Sequence, residues 1–95
     1  KKSGFDIVLM MPVISRFYGI GIYMNWSEHN PPHFHARYQD NEATVNIQSG
    51  EVTGYVNKRV KDLIEEWRKI NVNSLLEDWE RANQHLQLKY ISPLE

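Results

Sequence analysis

Between Pro12 and Val56 the chain alternates apolar and polar residues with a period of two. Such alternation places successive side chains on opposite faces of a strand. Val13 to Phe17 reads as a first strand, and Tyr18-Gly19 as its turn. Ile20, Ile22, Met24 and Trp26 then alternate with Gly21, Tyr23 and Asn25, which predicts a strand with one buried face. Ser27 to Pro32 reads as a loop, because consecutive prolines cannot donate ladder hydrogen bonds. His33 to Tyr38 resumes the alternation, with Phe34, Ala36 and Tyr38 on one face and His33, His35 and Arg37 on the other. Ala43, Val45 and Ile47 continue it, and Ser49-Gly50 suits a two-residue hairpin leading to Val52, Gly54 and Val56. A Gln39-Asp40 turn sets Arg37 opposite Glu42 and keeps every apolar face on one side. A slip of one residue would invert a whole strand, so this agreement of parities fixes the expected register.

From Asn57 the period becomes helical. Val60, Leu63, Ile64, Trp67 and Ile70 form an apolar stripe, with Asn57 as N-cap. Asn71 to Asn73 interrupts it. Ser74 to Glu77 has the form of a capping box that opens a second helix, with Leu75, Leu76, Trp79 and Ala82 inward. Leu88 to Glu95 reads as a tail. The fold expected is α+β: an antiparallel four- to five-stranded meander with two C-terminal helices packed on one face. Residues 1–10 read as an N-terminal extension and residues 11–95 as a single domain.

Composition narrows the function classes. A chain of 95 residues with 41% hydrophobic and 24% charged residues is ordinary globular protein. It contains no cysteine, which excludes disulfides, thiolate metal sites and a cysteine nucleophile, and favours a reducing cytoplasm. The apolar run from Ile7 to Ile14 is too short to span a bilayer. The formal charge of −1 gives no global pull toward nucleic acid or anionic lipid, so nucleic-acid binding has weak support.

The chemically distinctive segment is His29-Asn30-Pro31-Pro32-His33-Phe34-His35-Ala36-Arg37. His33 and His35 project to the same side of a strand, and the stiff prolines can fold His29 back over them. Three neutral imidazoles suit a divalent transition metal, zinc or nickel, with open positions for water. The plainer alternative is a pair of solvent-facing strand residues. His33 and His35 could also act as acid and base, with Arg37 against developing phosphate charge, as in a small ribonuclease-like hydrolase. No carboxylate is linked to these histidines by sequence, which favours a binding module over the hydrolase. For Arg37 the plainer role is a cross-strand ion pair with Glu42. Lys58 and Arg59, at the start of the first helix, are further anion-binding candidates beside Arg37, with a solvated face as the bland alternative.

Met11 to Ile20, His29 to Tyr38 and the Leu-Glu-Asp-Trp-Glu string at Leu76 to Glu80 carry a family resemblance. Over Met11 to Glu95 the chain resembles the small prokaryotic proteins grouped as domain of unknown function 4160. The resemblance implies a cytoplasmic protein of unassigned activity, often encoded beside a second small protein in a toxin–antitoxin-like gene pair. It therefore implies a protein partner, with self-association as the alternative.

Overall fold

The computed structural model describes residues 11–95. The extension read at residues 1–10 lies outside the described residues. Five strands, β1 (Val13–Phe17), β2 (Ile20–Tyr23), β3 (His33–Tyr38), β4 (Asn41–Asn46) and β5 (Val52–Gly54), precede two helices, α1 (Lys58–Ile70) and α2 (Val72–Asn83). The strands form one antiparallel sheet in the order β1-β2-β3-β4-β5, the meander that the alternation predicts.

Local chemistry sets the register. Tyr18 and Gly19 take φ of 51° and 79°, a two-residue turn whose twist matches that of the flanking strands. The Gln39-Asp40 turn places Arg37 opposite Glu42 and Ala36 opposite Ala43, as the parities require. The next hairpin is longer than expected. Asn46 N–H donates to Glu51 O and Gly50 N–H to Asn46 O, so the loop is Ile47 to Gly50. The Asn46 side chain drives this, because its Oδ1 accepts from the N–H groups of both Gln48 and Ser49 at 2.9 Å.

The sheet's apolar face, including Ile20, Ile22, Phe34, Ala36, Ala43 and Val45, is buried. The α1 helix packs there, with the Trp67 ring 5.3 Å from Phe17 and 5.7 Å from Phe34. Asn57 caps α1 by accepting from Val60 N–H at 2.9 Å. The buried stripe of α1 follows Val60, Ile64 and Arg68 with Trp67 beside it. Ile70, expected inward, is 70% exposed, because the i, i+4 drift carries the stripe to Arg68. Arg68 is satisfied by Glu65, at 2.9 and 2.7 Å, and by Ile47 O at 2.7 Å.

The helix break is one residue, Asn71, and not Asn71 to Asn73. Asn71 closes α1 by donating its side-chain N–H to Trp67 O, while its own carbonyl accepts from Leu75 N–H to start α2. Ser74 therefore lies inside α2 and does not cap it. Leu75, Trp79 and Ala82 are buried as expected, Leu76 is half-buried, and Asp78 is fully buried. Asp78 Oδ1 accepts from Arg81 at 2.7 Å and from Lys89 N–H at 2.8 Å.

The C-terminal residues are part of the core. Ile91 is buried and donates its N–H to Ile14 O at 2.7 Å, which covers the outer edge of β1. Trp67 Nε1 donates to Ser92 O at 2.8 Å, and Leu88 and Leu94 pack on the core. No helix among the described residues is long and apolar enough to cross a membrane.

Candidate metal centre

The site sits where β3 begins, and the β2–β3 loop supplies one of its three side chains. Met24 is buried and donates its N–H to Pro12 O. Trp26 Nε1 donates to Leu86 O at 3.2 Å, and Ser27 Oγ lies 2.9 Å from His85 Nε2. At the far end of the loop Pro32 O accepts from Ile47 N–H. Anchored at both ends, the loop turns Glu28 back over the polar face of the sheet. Glu28 Oε1 lies 2.8 Å from His33 Nε2 and 2.8 Å from His35 Nε2.

His33 and His35 project together from β3, as the alternation requires. Their ring centroids are 5.3 Å apart, edge to face. His33 is not clear of the helices, because α2 reaches the start of β3 and places the Trp79 ring 5.1 Å from it. With Glu28 beside them, the imidazoles keep only 16% and 14% of their side-chain surface exposed. One donor atom each from Glu28, His33 and His35 lies within 4.8 Å of the others, a group able to hold a metal ion.

The hydrogen bonds constrain the protons. His33 Nδ1 lies 2.8 Å from Pro31 O. A carbonyl only accepts, so Nδ1 carries the proton and Nε2 of the neutral ring presents a lone pair. That lone pair faces the Glu28 carboxylate, so the short contact needs an added positive charge, a proton or a metal ion. Burial works against the charged form of Glu28. Hydrogen bonds and charge from His35, then His33, outweigh it and hold the carboxyl below its ordinary value. His35 Nδ1 is buried without a hydrogen-bond partner and lies 3.7 Å from Glu42 Oε2. With a metal on Nε2, this nitrogen would carry the proton and Glu42 would be its acceptor.

The structure does not bring the other candidates into the group. His29 is exposed and lies outside it. Lys58 pairs with Asp62 at 2.8 Å, and Arg59 is exposed. Arg37 continues the histidine face and meets Glu42 at 3.4 Å. The carboxylate that sequence reasoning found missing is Glu28. Its signal is the spacing Glu-x4-His-x-His, five and seven residues ahead of the two histidines.

A meander sheet with two histidines on its polar face, and a loop carboxylate set against them, defines a small α+β protein with a Glu-His-His cluster. The chain belongs to the family described as Domain of unknown function (DUF4160), whose model matches residues 19–80. That span includes Glu28, His33, His35, Arg37 and Glu42. No curated protein and no solved structure matches the chain.

Proposed function

We propose that this protein binds a divalent transition metal, zinc or nickel, through Glu28 Oε1, His33 Nε2 and His35 Nε2. The observation that carries the reading is the convergence of His33 Nε2 and His35 Nε2 on Glu28 Oε1, each at 2.8 Å, with His33 Nδ1 taken up by Pro31 O. Two histidines and a carboxylate form a ligand set that zinc and octahedral metals both accept. A tetrahedral zinc ion spaces its ligand atoms by roughly 3.3 Å and an octahedral ion by roughly 3.0 Å, and the three donor atoms here lie within 4.8 Å of one another. Three protein ligands leave at least one position open for water or a further ligand.

Titration calorimetry with zinc and nickel tests the proposal. Wild type should bind one ion. Glu28→Gln and the double variant His33→Ala/His35→Ala should lose uptake, and His29→Ala should retain it. Absence of binding by wild type would refute the reading.

A second reading gains from the same geometry. Glu28 supplies the carboxylate that an acid–base role for His33 and His35, with Arg37, had lacked. Hydrolysis of RNA that survives chelators yet fails in both single histidine variants would favour it.

The family resemblance also supports partnership with a small protein encoded alongside, as in a toxin–antitoxin-like pair. The outer edge of β5 suits strand addition, since the tail already covers that of β1. Co-purification with that neighbour is the test, and a strictly monomeric protein that ignores it would refute the partnership.

A further inference from the structure

We infer that Arg37 and Tyr23 form an oxyanion subsite beside the metal, so that the ligand of this centre carries a phosphate or carboxylate group. The inference rests on the metal reading and extends it to the chemistry of what binds there.

The first observation is an under-used guanidinium. The half-buried or buried arginines Arg68 and Arg81 each hold a carboxylate at 2.7 Å. Arg37, with 35% of its side-chain surface exposed, makes one hydrogen bond among the described residues, to Glu42 at 3.4 Å. An arginine has five N–H donors in a planar fork suited to two oxygens of one anion. Most of that capacity is unused here. Its one partner, Glu42, is shared: Oε1 faces Arg37, and Oε2 lies 3.7 Å from the orphaned His35 Nδ1.

The second observation is the position of Tyr23. It pairs with His35 in the register, and Gly21 pairs with Arg37. A Cβ placed on Gly21 would lie 2.8 Å from Tyr23 Cε1 and 2.9 Å from the hydroxyl oxygen. The tyrosine ring therefore leans out of the histidine row and brings its O–H over Gly21, which stands between Arg16 of β1 and Arg37 of β3. Cross-strand partners have Cβ atoms about 5 Å apart, so the hydroxyl lies within reach of a ligand held by Arg37. No hydrogen bond among the described residues uses this hydroxyl as a donor. Gly21 is what makes room for it.

Spacing and charge agree. His35 and Arg37 are two residues apart on one strand, about 7 Å. An anion with one oxygen on the metal and another on the guanidinium spans roughly that distance. Glu28 and Glu42 together balance a divalent ion, and Arg37 leaves the loaded site positive, which selects an anion over a cation or a neutral ligand.

The test uses the full chain loaded with cobalt(II), whose visible absorption reports changes in its ligands. One arm adds inorganic phosphate and the other acetate, which separates the two oxyanion classes. At least one should shift the spectrum. Arg37→Ala should weaken that anion about tenfold or more, and Tyr23→Phe by less, with cobalt uptake unchanged in both. Arg37→Lys should restore part of the affinity as a point charge. A spectrum indifferent to both anions, or equal anion affinity in wild type and Arg37→Ala, would overturn the inference and leave Arg37 as a structural partner of Glu42. Failure to take up cobalt would count against the metal reading. Since the subsite rests on the loaded centre, that failure overturns it as well, whereas cobalt uptake without an anion response overturns the subsite alone.

Discussion

Replacing Arg68 tests how the helical layer is fastened to the sheet. Its guanidinium leaves α1 and reaches the β4–β5 loop, where Nη1 donates to Ile47 O at 2.7 Å and, more weakly, to Gln48 O at 3.4 Å. Nε and Nη2 hold both oxygens of Glu65. Arg68→Ala removes a charge-assisted hydrogen bond to a buried carbonyl, which costs about 1.5–3 kcal/mol. The Glu65 pair adds less, about 0.2–1 kcal/mol, because Glu65 is 37% exposed and water can take it back. The expected loss of roughly 2–4 kcal/mol corresponds to about 10–25 °C in Tm for a domain of this size. Arg68→Met keeps the packed stem and should lose somewhat less. A pH arm isolates the ion pair. The Arg68 hydrogen bond is the leading cause that holds the Glu65 carboxyl below its ordinary value. A depressed folded-state pKa contributes stability above the unfolded value near 4.5, lost as pH falls through the folded one. Wild type should lose more stability than Arg68→Met over that acid range. Thermal and urea unfolding at neutral and acid pH check both parts. A loss under about 0.5 kcal/mol for Arg68→Ala, the scale of an ordinary surface substitution, or identical acid slopes would refute the reasoning.

Other predictions concern the edge, the hairpin and the metal. Ile91→Ala should cost about 2–4 kcal/mol by chemical denaturation, because Ile91 fills the core beside the β1 edge it covers; a neutral result would mean that the tail is dispensable. Gly54→Ala should destabilise by at least about 1–3 kcal/mol, since φ is 94° and the new Cβ would lie 2.7 Å from Glu42 O. Metal affinity should fall as pH falls, because protons compete for imidazole nitrogen. The depressed Glu28 carboxyl stays charged to lower pH than an ordinary glutamate, so its protonation should not be the first step of that loss. Calorimetry across pH measures this, and a pH-independent affinity would contradict it.

The sheet was legible because strand parity is a strict code: Phe34 and His35 must face opposite ways, and the Gln39-Asp40 turn then forces Arg37 onto Glu42. Where side chains compete with backbone, the pattern misled. Asn46 lengthens a hairpin, and Asn71 confines the expected break at Asn71 to Asn73 to a single residue, through bonds that periodicity does not encode. The tail looked unstructured because its apolar residues, Leu88, Ile91 and Leu94, are spaced for contacts with distant elements. Two of the three side chains of the candidate centre were legible, since His33 and His35 share a strand face. Glu28 was not, because its position depends on long-range anchors such as Trp26 to Leu86 and Ser27 to His85. The same anchoring leaves the neighbouring His29 exposed.

The identity of the ligands decides the central claim. X-ray absorption on the full chain loaded with one equivalent of zinc or nickel counts imidazoles directly. Two imidazoles and at least one oxygen are expected, with one imidazole lost in His33→Ala and both kept in His29→Ala. Three imidazoles in wild type, or a spectrum of hydrated metal alone, would contradict the centre built from Glu28, His33 and His35.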